Sequence, residues 1–143
     1  MSDKVEEKLE IYTKDGKPTG NSKPRGKIHS DGDYHKAVKI WNVNSYIKKK
    51  KLIFFFLSKG EILIQQRVFT KKSYGGMWDA TAAGHIVFGE TSIETASKEF
   101  EEELGIKVNE EEFQYLFTTT IESILNNGMK TNSIEFFFKK ELL

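Results

Sequence analysis

GHIVFGETSIETASKEFEEELGI, residues 84–106, is the stretch on which the reading of this chain turns. Its second half predicts a helix over about 92–104. Thr91 and Glu94 have the S/T-x-x-E spacing of a capping box, in which each side chain bonds the other residue's backbone N–H. Gly105 stands where a helix ends on a left-handed residue. Between them Ile93, Ala96, Ser97, Phe100 and Leu104 recur at helical spacing and form one stripe for a core. Glu99 and Glu103 flank that stripe, with Glu102 further round, while Glu94, Lys98 and Glu101 point elsewhere. Glu99, Glu102 and Glu103 stand at i, i+3 and i+4, so three like charges share one face. A solvated acidic face tolerates such a run. At the rim of a packed core, a hard divalent cation with oxygen ligands is the natural compensation.

Working outward, residues 79–83 lead into this stretch, after a turn at Gly75-Gly76. Strand character also marks 9–13, 37–43, 52–57 and 62–66, the last two separated by a turn at Lys59-Gly60. Residues 16–35 hold both prolines and read as a long connection. Beyond the helix, 113–124 and 134–138 read as strands joined through Asn126-Asn127-Gly128, a hairpin signal. Strands around an amphipathic helix predict an α/β chain, and 143 residues suit one domain over 1–143.

Composition excludes several classes. The formal net charge of +1 implies no bulk attraction to a nucleic-acid polymer or an anionic membrane. With no cysteine, disulfides, thiolate metal sites and thiol catalysis are excluded, which is compatible with a cytoplasmic location. The first ten residues, MSDKVEEKLE, lack the apolar core of a secretory signal. The apolar run 52–57 is far too short to span a bilayer as a helix.

The whole spacing of 84–106 resembles the Nudix box, G-x5-E-x7-R-E-U-x-E-E-x-G-U, with U a bulky aliphatic residue. Gly84, Glu90, Glu99, Glu102, Glu103, Gly105 and Ile106 fall on it. Phe100 fills an aliphatic position and keeps a core anchor. Lys98 replaces the arginine that, in the family, pairs with the glutamate matching Glu90. A lysine retains the charge but not the planar two-point fork, so a weaker brace is expected.

The resemblance extends over roughly residues 9–138. DGKPTG, HSDGDYHKAVKIW, GEILIQQR and GGMWDATAAGH are similar to the Nudix branch related to isopentenyl diphosphate isomerase. It implies an α/β/α sandwich around a mixed β-sheet. It also implies hydrolysis of a diphosphate linkage in a nucleoside diphosphate derivative, with Mg²⁺ or Mn²⁺. Glu99, Glu102 and Glu103 would be the metal ligands, and Glu102 and Glu103 the catalytic carboxylates. Glu102, Glu122 and Glu135 are all candidates for the base. Arg67 and Lys71 match positions that contact the diphosphate. Gly84, Glu90, Lys98 and Gly105 would have structural roles, and Trp78 and Asp79 would pack and fix a loop.

The isomerase itself carries a catalytic cysteine before the Gly-His that matches Gly84-His85. Here that position is Ala83, so isomerisation is rejected as the main activity. His29, His35 and His85 fall near the isomerase metal positions. Its glutamate partners are not matched, since Asn132-Ser133-Ile134 occupies that region with Glu135 the nearest acid. For His29 and His35, ordinary hydrogen bonding is the expectation. Two departures from the relatives remain. About a dozen extra residues, around 46–57, bring a lysine run and then Phe54 to Phe56. The chain also ends at Leu143, where relatives continue with a strand and a helix. A sheet face without that layer would favour a homodimer or marginal stability. The second functional class is therefore a catalytically weak module that binds a nucleotide or a partner.

Overall fold

A computed structural model of the chain describes residues 7–43, 62–71, 74–125 and 128–141. The expected strand at 52–57, the Lys59-Gly60 turn, the insertion around 46–57, Lys72, and Asn126-Asn127 lie outside the described residues.

The central strand is β3 (Tyr34–Val43). Along one edge it meets three antiparallel neighbours in succession: β1 (Lys8–Tyr12) at Tyr34, β7 (Ala82–His85) at Ala37 to Ile40, and β4 (Ile62–Leu63) at Asn42 and Val43. Along the other edge it pairs in parallel with β9 (Lys130–Glu141), which pairs antiparallel with β8 (Phe113–Ile124). β2 (Pro18–Pro24) flanks β1 on the outside. The sheet is therefore mixed, as expected, and its order is β2-β1-β3-β9-β8.

Alternation along β3 decides which residues face which layer. Val38 and Ile40 are buried against Ala96, Phe100 and Leu104 of α2 (Ser92–Leu104). His35, one step out of phase, turns to the other face, where it touches His29 of α1 (Arg25–Asp31). One helix thus lies on each face of the sheet, which is the α/β/α arrangement. Phe100 is the largest fully buried side chain among the described residues and meets Phe113 edge-on at 5.7 Å between ring centres.

The helix α2 has the predicted limits and the predicted ends. Thr91 Oγ1 accepts from the Glu94 N–H at 3.3 Å, and the Glu94 carboxylate accepts from the Thr91 N–H at 2.8 Å. Gly105 takes φ 69° and donates its N–H to Glu101 O at 2.7 Å.

Two sequence expectations are corrected. The connection at 16–35 contains β2 and α1. β2 is exposed over most of its length, so it shows no apolar alternation, and α1 is seven residues held by one buried side chain, Ile28. Its boundary signals were present: Pro24 immediately before it and Gly32, at φ 70°, immediately after. The expected strand 62–66 is broken in two, and the segment 79–83 that leads into the motif is divided between β6 (Trp78–Asp79) and β7. Ile62–Leu63 joins the main sheet, while β5 (Gln65–Gln66) pairs with β6 (Trp78–Asp79) in a separate ribbon. Thr81 bridges the gap: its hydroxyl donates to Leu63 O and accepts from the Asn42 N–H at 2.9 Å. A side chain there replaces a rung of the ladder, and the chain turns toward α2.

Candidate functional site

The break between β4 and β5 positions the site. It carries Gln65 under the C-terminal half of α2, where its Nε2 donates to Glu103 Oε2 at 2.8 Å. The ribbon β5–β6 then hangs Arg67, Lys71 and Asp79 beside the carboxylates. Together they line a cavity of about 1040 Å³, to which Glu99, Glu102, Glu103, Gly84 and the three histidines also contribute.

Glu99 sits directly over β7. Gly84, opposite Val38 of β3, has no Cβ, and one placed there would be driven into the Glu99 carboxyl group. The glycine of the motif is thus a matter of close approach rather than of backbone conformation. Burial, with Glu103 and Glu102 adding like charge, pushes the Glu99 carboxyl up to about 7. Burial also raises Glu103, against the bonds it receives from Gln65 and from the Ala83 N–H. Carboxylates crowded and desolvated in this way bind protons too readily until a cation compensates them, and their oxygen-only donor set suits Mg²⁺ or Mn²⁺.

Lys98 Nζ donates to both oxygens of Glu90, at 2.8 and 3.0 Å, so the brace forms with lysine in place of arginine. Burial pulls the Lys98 ammonium down, but the bonds from Glu90 outweigh it and leave its pKa raised. Thr95 Oγ1 adds a third bond to Glu90 at 2.9 Å. The loop before α2 is therefore tied to the second turn of the helix.

On the opposite wall Asp79 accepts from Lys39 Nζ at 2.6 Å and from Arg67 Nη1 at 3.1 Å. Burial alone would raise the Asp79 carboxyl; the Lys39 ammonium, then the Ala80 N–H and Arg67, hold it below its ordinary range. Asp79 thus does fix a loop, and it also orients the arginine expected at the diphosphate. Trp78, expected to pack, has its residue 45% exposed.

The three base candidates separate. Glu102 and Glu135 line the cavity. Glu122 does not: it lies on β8, bonded by the Tyr34 hydroxyl and paired with Lys14 at 2.9 Å. Its position in sequence carries no sign of this, because the contact is made across the sheet.

The three histidines come together, and His35 keeps the ordinary hydrogen bond expected of it. His29, His35 and His85 converge so that one ring nitrogen of each lies within 4.8 Å of the others. Their rings meet at 4.7 to 5.1 Å between centres. His35 Nδ1–H donates one ordinary bond to Asp33 O at 3.2 Å. Burial lowers all three, His35 to about 4, so the imidazoles are neutral near pH 7 with lone pairs free for a cation. The signal that could have found the cluster is the i, i+6 spacing of His29 and His35 across the end of a helix, but only the β3–β7 pairing adds His85.

No helix among the described residues is long and apolar enough to cross a membrane.

Several known proteins resemble this chain. Nudix hydrolase 3 of Arabidopsis thaliana is 40% identical over 129 residues, covering 90% of this chain and 15% of that protein. Isopentenyl-diphosphate Delta-isomerase of Serratia proteamaculans (strain 568) is 30% identical over 101 residues, covering 71% of this chain and 49% of that protein. The crystal structure of the C. elegans Ap4A hydrolase aligns with a TM-score of 0.45 and 16% identity, over 75% of this chain and 68% of that one. The chain spans half or less of the length of these two curated relatives. The NUDIX domain model matches residues 49–142, and with the glutamates, glycines and Lys98–Glu90 brace in place, the chain belongs to the NUDIX domain family.

Proposed function

We propose that this protein is a Nudix-type diphosphate hydrolase that cleaves a diphosphate linkage in a nucleoside diphosphate derivative, with Mg²⁺ or Mn²⁺. The observation that carries the reading is the shared cavity. Glu99, Glu102 and Glu103 form one wall, and Arg67 and Lys71 stand on the β5–β6 ribbon across from them. Acids that gather a cation and bases that gather phosphate oxygens belong together only around a phosphate-bearing substrate.

Glu99, Glu102 and Glu103 would hold the ion. When bound, it would polarise a phosphoryl oxygen and lower the pKa of water. Gln65 and the Ala83 N–H fix the Glu103 carboxylate, which keeps it aimed without a change of rotamer. Arg67, oriented by Asp79, and Lys71 offset the charge of the diphosphate. Glu102 or Glu135 takes the proton of the attacking water, since both face the cavity. Metal-dependent phosphate release from a panel of nucleoside diphosphate derivatives tests the proposal. Turnover should be present in the wild type and lost in Glu103→Gln with its fold intact. A folded wild type that binds metal and turns over nothing would instead support the binding module.

The convergence of His29, His35 and His85 favours one addition: a second cation site on the other face of the sheet, at the same cavity. Three neutral imidazoles suit a borderline ion such as Zn²⁺ better than Mg²⁺. The isomerase reading fails on chemistry, because Ala83 can neither donate nor accept a proton and no cysteine exists elsewhere.

A further inference from the structure

The ribbon that carries Arg67 and Lys71 also carries the most exposed large apolar side chain among the described residues. Phe69 is 79% exposed, Tyr74 is 45% exposed, and both line the cavity that holds the carboxylates. An exposed phenylalanine on its own needs no explanation. This one is held in place. Its ring lies against Gly76, where a Cβ would come 2.6 Å from Phe69 Cε1. The loop is tied beneath it by Gly76 N–H to Arg67 O at 3.0 Å, Lys71 N–H to Val68 O at 3.1 Å, and Gln66 Nε2 to Gly76 O at 2.9 Å. Tyr74 takes φ 54°, a conformation that costs a bulky residue energy and that no other non-glycine among the described residues adopts. Its hydroxyl is bonded to Ser123 Oγ at 2.9 Å, which anchors the ring to β8.

We propose that Phe69, with Tyr74 of the same loop, is the platform on which the nucleobase of the substrate stacks. This deepens the diphosphate-hydrolase reading and rests on it. Phe69 and Lys71 stand on the same loop and line the same cavity, so a ligand whose diphosphate reaches the lysine can lay its attached group on the ring. An open aromatic surface suits a flat, partly solvated base, which offers a π-face whatever its identity. A flexible aliphatic chain calls for an enclosed apolar pocket instead. A bare sugar or polyol offers the ring little area. Phe69 and Tyr74 therefore select nucleotides over diphosphates of aliphatic or sugar alcohols, while tolerating different bases.

The test is calorimetric binding of α,β-methylene ADP and of methylenediphosphonate, both resistant to hydrolysis, with Mg²⁺ present. Phe69→Ala should weaken the nucleotide by about tenfold and leave the diphosphonate unchanged. Phe69→Trp should retain nucleotide affinity, and Phe69→Leu should lose it although it keeps an apolar side chain. Lys71→Ala should weaken both ligands. Because the Phe69 side chain is exposed, unchanged thermal melting should accompany its variants. If Phe69→Ala leaves nucleotide affinity intact, or weakens both ligands equally, the stacking proposal is overturned while the diphosphate reading stands. If neither ligand binds the wild type, both fall together.

Discussion

At the level of single residues, the site depends on groups that hold the reactive ones. Gln65 is the clearest case. Its bond to Glu103 fixes a carboxylate that burial and its neighbours would otherwise disturb. Gln65→Ala should lower Mn²⁺ affinity by roughly 10- to 100-fold, the usual effect of removing an outer partner of a ligand. Titration calorimetry of the intact chain would measure it, and an unchanged affinity would remove Glu103 from the ligand set. Asp79 gives the pH dependence. Its folded-state pKa lies below the ordinary 3.8 because Lys39 and Arg67 outweigh burial. Folding therefore gains from its ionisation above the unfolded value, and the gain disappears as pH falls through the folded one. Asp79→Asn should cost about 1–3 kcal/mol near neutrality. Denaturant melts at descending pH should show that difference shrinking below pH 3.8. A constant difference would mean that the carboxylate's charge is not what matters.

Elements were legible where local chemistry specifies them. The helix α2 follows from Thr91, Glu94, the apolar stripe and Gly105, all of which act within the segment. Thr91→Ala should cost about 1 kcal/mol by removing the cap, measured by chemical denaturation with the same m-value. A loss of several kcal/mol would show that Thr91 does more than cap. The pair β8 and β9 was legible for the same reason: two runs of strand character flank a turn signal, and they pair antiparallel. β2 and α1 were not read as elements, since one is exposed and the other is a single short helix on Ile28. The break within 62–66 and the division of 79–83 between β6 and β7 were also hidden. They arise because the Thr81 hydroxyl donates to Leu63 O and accepts from the Asn42 N–H, partners 18 and 39 residues away.

Across the whole molecule the layers are unequally protected. β3 is paired on both edges and covered by α2 on one face. β8 is paired on one edge among the described residues and exposed over nearly its whole length. Hydrogen exchange should therefore be slowest in β3 and the adjoining parts of β7 and β9, and fastest among the strands at the outer edge of β8. Uniform protection of β8 would show that another surface covers it. The same architecture explains the division of information in this chain. The acidic helix, its caps and the glycine at 84 were determined by the sequence alone, because spacing within one short segment sets them. Which base candidate reaches the cavity and the meeting of His29, His35 and His85 were decided by the tertiary structure. Those residues lie far apart along the chain, and only strand pairing and the turn at Thr81 set the distances between them.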